Sequence, residues 1–187
     1  RGVIFGGLTV AILGLGAWWV PGALVAHTAS VVPPAKRAEI GEAALGDVIR
    51  LTGAPCDAQL GLRALAGLAE RVFGPADTPI LYVMRDGVDT ALHLPGDVIV
   101  LSNRLVDTPA GPEAAAGAAL AEDLRAQSND PMIPLLQHAG LIATFRLLTT
   151  GDLPADALAG YGEAVLRAAP LPLPDAPMIA AFQAAQI

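Results

Sequence analysis

The amino-terminal stretch of this chain contains no Lys, Arg, Asp or Glu from Gly2 to Ala35. A helix formed by Gly2–Val20 would be about 28 Å long, close to the roughly 30 Å hydrocarbon thickness of a bilayer. Trp18 and Trp19 lie at the end of this run, where aromatic rings favour the membrane interface. The apolar core of a signal peptide is shorter, at roughly 7–15 residues. The stretch therefore predicts a retained transmembrane helix over residues 1–21, with a cleaved signal peptide and a buried core helix as alternatives.

Small residues recur along this predicted membrane helix. Gly2 and Gly6 have G-x-x-x-G spacing, and Gly7, Ala11 and Gly14 form a stripe at i, i+4 and i+7. Small residues at such spacing let membrane helices approach each other closely. The pattern predicts contacts with the lipid bilayer and with other integral membrane proteins, and the ordinary tolerance of membrane helices for glycine is the alternative explanation.

Charge limits the partners and the topology of the chain. The formal net charge is −7, whereas nucleic-acid binding requires a basic surface, so no nucleic-acid partner is expected. Basic residues flank the apolar run, with Arg1 before it and Lys36 and Arg37 after it. We favour a single-pass arrangement with Arg1 in the cytoplasm and the bulk of the chain outside. The only cysteine, Cys56, excludes an internal disulfide framework.

The remainder of the chain predicts an α+β fold. The paired prolines of "VVPP" favour extended backbone, so residues 22–37 are expected to form a membrane-proximal joint before a domain over 38–187 that is incomplete at its carboxyl end. Apolar spacing and proline stops predict helices over Ala38–Leu51, Asp57–Phe73, Glu113–Gln127, Pro134–Thr149, Ala155–Ala168 and Met178–Ala185. Strand composition predicts a small antiparallel or mixed sheet of about three strands over Ile80–Met84, Thr90–Leu94 and Val98–Ser102.

An ordered set of motifs after the apolar run resembles a known family. The stretch 89–107, "DTALHLPGDVIVLSNRLVD", is similar to a strand pair written N-A-F-A-L-P-G-G, with Thr90 and Asp97 as departures. Further matches are Glu39, Gly41, Cys56, Gly61, Leu65, Ala91, Leu94, Pro95, Gly96, Asn129–Pro131 and Thr149–Pro154. In this order the motifs resemble the membrane-associated zinc metallopeptidases that include HtpX and the CAAX prenyl protease, especially the subgroup with a membrane helix before a periplasmic peptidase domain.

The resemblance implies a zincin-like domain on the periplasmic side of a bacterial inner membrane. The family's catalytic helix reads H-E-x-x-H, because residues i and i+4 share a helix face and two imidazoles can hold one zinc ion. The corresponding positions here are Glu122, Asp123 and Ala126, and the later glutamate ligand falls on Leu171. These substitutions predict a catalytically inactive member that binds no metal or cofactor.

The histidines of the chain offer no replacement ligand set by sequence. His27, His93 and His138 are far apart, and each is expected to be an isolated structural or surface residue. Glu122 and Asp123 are expected to lie on a solvated helix face.

The sequence leaves three functions open: an inactive binding subunit, an active endopeptidase and a helical subunit without peptidase ancestry. The resemblance implies that the edge strand receives an extended peptide by strand addition through Thr90, Ala91, Leu92, His93 and Leu94. An inactive, membrane-anchored member would act as a binding, scaffold or accessory subunit of a membrane protein complex. The alternatives are an active membrane-bound zinc endopeptidase with non-standard ligands, and a membrane-anchored helical subunit without peptidase ancestry, which a helical Ile80–Ser102 would favour.

Overall fold

The computed structural model of this chain describes residues 20–76, 78–107 and 111–186. Apart from its last two residues, the predicted membrane helix lies outside the described residues. The small-residue stripe of that helix therefore lies outside them as well.

Helices dominate the described chain and surround three short strands. The helices are α1 (Val20–Val31), α2 (Pro34–Thr52), α3 (Gln59–Phe73), α4 (Arg104–Asp107), α5 (Glu113–Ser128), α6 (Met132–Thr150), a 3-10 turn (Ala155–Leu158), α7 (Tyr161–Arg167) and α8 (Asp175–Ala185). The strands are β1 (Ile80–Met84), β2 (Ala91–Leu94) and β3 (Val98–Ser102). The α+β class and the three-stranded sheet predicted from the sequence are confirmed.

The sheet has the order β1–β3–β2 and is mixed. Strand β3 runs parallel to β1 and antiparallel to β2. All five residues of β3 are buried because helices cover both faces of the sheet. This explains why β3 is a continuous apolar run rather than an alternating one.

Each face of the sheet has its own core. The first core includes Val25, Ala29, Val32, Ile40, Val48, Met84, Leu92, Leu94, Val98, Val100, Leu135, Leu136, Leu147 and Tyr161, from α1, α2, the sheet, α6 and α7. The second core includes Ala69, Leu81, Val83, Ile99, Leu101, Ala115 and Ala119, from α3, the sheet and α5. Alternate strand residues enter opposite cores because successive side chains of a strand point to opposite faces.

The expected joint over residues 22–37 is mostly helical. Helix α1 includes Pro21 and Gly22 in its first described turn. Val25, Ala29 and Val32 follow a helical stripe into the first core, which makes this segment part of the domain. Helix α2 begins earlier than predicted, because a proline at the first helical turn loses no hydrogen bond and has a suitable φ.

Two glycines interrupt helices that the sequence predicts as continuous. Gly140 has φ 84° and ψ 170° inside α6, and Gly160 has φ 78° between the 3-10 turn and α7. Positive φ strains other residues but not glycine. Among the described helices, Met132–Thr150 alone is long and apolar enough to cross a membrane by length and composition. The break at Gly140 and the buried side chains of Leu135 and Leu136 make this segment a core element of the domain.

Arg37 ties α1 and α2 to the start of α6. Its guanidinium donates to both carboxylate oxygens of Asp130, at 2.9 and 2.7 Å, and to the backbone carbonyl of Ala29. Burial alone would raise the pKa of Asp130, but the hydrogen bonds from Arg37 and from the Met132 amide lower it below the usual 3.8. The ion pair fixes the turn between α5 and α6, which borders a groove between β2 and α5.

Candidate functional site

A groove of about 370 Å³ lies between the edge strand β2 and helix α5. Residues of α7 and of the proline-rich segment after it form the opposite wall. Of the nine residues predicted for the peptide-binding strand and the catalytic positions, seven line this groove, namely Thr90, Ala91, Leu92, His93, Glu122, Ala126 and Leu171. The structure therefore brings the predicted peptide-binding strand next to three of the four positions aligned with catalytic residues.

The other two predicted site residues face elsewhere. Asp123 and Leu94 line a neighbouring cavity of about 480 Å³ together with Arg37 and Asp130. Leu94 is fully buried, and Asp123 accepts a hydrogen bond from the Gln127 amide at 2.7 Å. Adjacent residues on a helix point about 100° apart, so Glu122 and Asp123 cannot both face the groove. The prediction that Glu122 lies on a solvated face is wrong, because only 7% of it is exposed.

The outer edge of β2 carries hydrogen-bonding groups that do not face β3. The Ser102 amide donates to the Thr90 carbonyl at 2.7 Å, and the register pairs Leu92 with Val100. In an antiparallel pair, alternate residues exchange hydrogen bonds with the partner strand. The backbone N–H and C=O groups of Ala91 and His93 therefore point away from β3, on the side that borders the groove.

Arg125 connects two walls of the groove. Its Nη1 donates to Oε1 of Glu122, one turn earlier on α5, and its Nε donates to the backbone carbonyl of Leu171 at 2.8 Å. Burial raises the pKa of Glu122 above the usual 4.5, and the Arg125 guanidinium opposes part of this rise. A protein cation thus occupies the space between the two positions that align with the first and third zinc ligands.

The three positions aligned with the family's zinc ligands do not supply a zinc site. A zinc site needs three or four nitrogen, sulfur or carboxylate donors. The aligned positions supply one carboxylate, already bonded by Arg125, together with the apolar side chains of Ala126 and Leu171. Within residues 20–76, 78–107 and 111–186 no group of three or more His, Cys, Asp or Glu residues could hold a metal ion.

Two histidines that are distant in sequence line the same groove. Nδ1 of His93 lies 3.3 Å from the backbone carbonyl of Glu122, and Nε2 of His138 lies 3.0 Å from the carbonyl of Ala159. The His138 ring also packs edge-to-face on Tyr161, with ring centroids 5.5 Å apart. Burial raises the pKa of the Tyr161 hydroxyl to about 12. His93 and His138, expected from the sequence to be isolated, thus line one groove together. No sequence motif indicated Tyr161 or Arg125, although the i, i+3 spacing of Glu122 and Arg125 is a readable signal.

Burial of His93 predicts a pH dependence of stability. Its pKa is lowered from the usual 6.5 chiefly by burial, against the opposing effect of its hydrogen bond to the Glu122 carbonyl. The native state then disfavours the proton on His93. The contribution of the neutral His93 ring to the free energy of unfolding is therefore complete above pH 6.5 and declines as the pH falls through the native pKa. We expect the free energy of unfolding, measured by urea denaturation between pH 5 and 8, to decrease toward pH 5.

The variant His93→Gln should flatten this pH dependence, because glutamine does not titrate. The exposed His27 on α1 provides the matched control, and His27→Gln should retain the wild-type profile. A His93→Gln profile as steep as that of the wild type would exclude His93 as its source.

Comparison with known proteins adds no family assignment. No protein-family model matches this chain, and no curated protein sequence matches it.

Proposed function

We propose that this chain is a membrane-anchored, catalytically inactive metallopeptidase-like protein. Its zincin-like domain would bind an extended peptide segment along β2 and act as a scaffold or accessory subunit of a membrane protein complex. The observation that carries the proposal is the position of Arg125, which bonds both Glu122 and the Leu171 carbonyl. The sheet over residues 80–102 supports the family resemblance over an all-helical subunit.

The Arg125 guanidinium is the argument against peptide hydrolysis. A second cation placed beside it would meet electrostatic repulsion, which is strongest where water is excluded. Glu122 is already neutralised by Arg125, and Ala126 carries no donor. Zinc-dependent activation of water would therefore lack its ligands at the aligned positions.

The edge of β2 is the argument for peptide binding. Ala91 and His93 offer backbone donors and acceptors in the pattern of an unpaired strand, which an extended peptide can satisfy by strand addition. Leu92, Val165 and Leu166 add apolar surface to the groove wall, where side chains of such a peptide would be shielded from water. The groove volume lies at the lower end of the roughly 300–1,000 Å³ range of ligand sites.

The charge-free stretch from Gly2 to Ala35 is the argument for a membrane location. Helix α1 packs into the first core, and the sequence before it is apolar back to Gly2. A membrane helix there would hold the domain close to the bilayer, on the periplasmic side of a bacterial inner membrane. The glycine and alanine stripe would provide contacts to other membrane proteins.

Fluorescein-labelled casein, an unfolded polypeptide, can measure binding and cleavage in one assay. The full chain in detergent should raise its fluorescence anisotropy without releasing fragments. The variant Ala91→Pro removes an N–H that points away from β3, so the sheet keeps its own hydrogen bonds. Loss of one backbone hydrogen bond costs about 1 kcal/mol, which predicts a roughly fivefold weaker Kd.

The control is Ala91→Ser, which retains the N–H and should bind casein like the wild type. Unchanged affinity in Ala91→Pro would exclude strand addition at β2. Stoichiometric zinc in the purified chain, together with casein hydrolysis that a chelator abolishes, would establish the active endopeptidase instead.

A further inference from the structure

The second half of α6 exposes a cluster of large apolar side chains. Leu141 is 45% exposed, Ile142 is 87% exposed and Phe145 is 58% exposed. The opposite side of the same turns is buried, with Thr144 at 0% and Leu147 at 4% exposure. The cluster therefore stands on a helix that is packed against the domain. Contiguous exposed apolar side chains of this size indicate an interaction surface.

The chain that leads into this cluster is uncharged. No Lys, Arg, Asp or Glu occurs from Pro131 to Phe145. The first charge after it is Arg146, which is exposed beside the cluster. An arginine next to an apolar cluster can extend its guanidinium to lipid phosphates while its stem stays in contact with apolar surface. This charge pattern suits a lipid surface better than a polar protein surface.

The length of the second half of α6 excludes a membrane span. The break at Gly140 separates it from the buried first half. The residues from Leu141 to Thr150 extend roughly 15 Å as a helix, half the hydrocarbon thickness of a bilayer. A helix with one buried and one apolar exposed side can lie in the interfacial plane instead.

Helix α1 lies on the same side of the sheet as this cluster. Val25 of α1 and Leu147 of α6 belong to the first core, whereas α3 packs on the opposite face of the sheet. Helix α1 continues the charge-free sequence that begins at Gly2, and its Val20 and Val31 are themselves exposed. The segment expected to enter the membrane and the exposed cluster are therefore carried by one layer of the fold.

We infer that Leu141, Ile142 and Phe145 insert into the interfacial region of the bilayer in which the amino terminus is anchored. This second contact would orient the domain relative to the membrane. The inference rests on the proposed membrane anchoring and extends it from a single helix to two points of attachment.

Site-specific fluorescence in vesicles tests this contact in the full chain. In a Cys56→Ser background, Ile142→Cys is labelled with an environment-sensitive fluorophore. The protein is reconstituted into phosphatidylcholine–phosphatidylglycerol vesicles that contain spin-labelled lipid. Ile142 makes few packing contacts, so its replacement should leave the fold intact. We expect blue-shifted emission and at least twofold quenching by the spin-labelled lipid.

Two further labelled positions serve as controls. Leu60 is 79% exposed on α3, across the sheet from the cluster, and Leu60→Cys should stay unquenched. Val20 lies at the end of the predicted membrane helix, so Val20→Cys reports on membrane anchoring of the amino-terminal segment independently of the cluster. Quenching at Val20 without quenching at Ile142 would overturn the second contact and leave anchoring intact, whereas quenching at neither would overturn both. Blue-shifted emission at Ile142 without lipid quenching would assign the cluster to a protein partner or a second copy, and so overturn the inference.

Discussion

Replacing Gly41 with alanine is expected to lower the free energy of unfolding by about 3 kcal/mol. Helix α2 crosses the turn between β2 and β3 at this glycine. A Cβ at position 41 would lie 1.9 Å from the carbonyl oxygen of Pro95 and 2.9 Å from its carbonyl carbon. Both are backbone atoms, so the clash cannot be relieved by a rotamer change and the helix or the turn must move.

The contact is also close when it is examined from the turn. A Cβ on Gly96, which has φ 76°, would lie 2.6 Å from Cα of Ala38 on α2. The two glycines together let α2 touch the β2–β3 turn, which positions β2 at the edge of the groove. Displacement of this turn by Gly41→Ala should therefore weaken casein binding as well as stability.

Gly46 on the same helix is the matched control. It is exposed, and a Cβ there would meet no heavy atom within 4 Å. Because alanine is a better helix former than glycine, Gly46→Ala should stabilise the protein by up to about 1 kcal/mol. Urea denaturation followed by circular dichroism measures both variants. Equal effects of the two substitutions would contradict the close packing of α2 on the turn.

Removal of the Arg125 guanidinium has the second largest expected effect. The side chain of Glu122 is 9% exposed and that of Arg125 is 24% exposed. Loss of one partner from a buried ion pair costs about 3–5 kcal/mol, and partial exposure of Arg125 reduces this to about 2 kcal/mol. We expect Arg125→Leu to destabilise the protein by that amount, because Glu122 is left buried without its counter-charge.

The destabilisation by Arg125→Leu should grow as the pH rises from 5 to 8. Without the guanidinium, the already raised pKa of Glu122 rises further in the native state. A raised native pKa contributes stability at low pH that is lost as the pH increases, because the unfolded chain releases the proton first. Urea denaturation across this pH range measures the effect.

Two further variants test the origin of this loss. Adding Glu122→Gln to Arg125→Leu should recover most of the lost stability. The difference in stability between this double variant and the wild type should no longer grow with pH. The exposed pair of Arg167 and Glu163 is the control, and Arg167→Leu should change stability by less than about 1 kcal/mol. A pH-independent loss in Arg125→Leu would show that the guanidinium acts through packing alone.

Much of the secondary structure could be predicted from local sequence. The limits of β1 and β3 agree with the prediction, because short runs of β-branched and aliphatic residues between turn signals favour strands. Errors fall at Gly140 and Gly160, where the backbone adopts positive φ. Glycine permits this conformation but does not require it, so the breaks depend on the packing of the flanking segments.

The local sequence by itself determined the α+β class, the three strands and the charge-free stretch after Arg1, because these follow from periodicity and composition. Tertiary structure alone decided that α1 belongs to the first core and that Arg125 donates to the carbonyl of Leu171. It also decided that His93 and His138 share one groove. These relations join residues that are far apart in the chain, and only the packing of α5, α7 and the sheet into one body brings them within reach of each other.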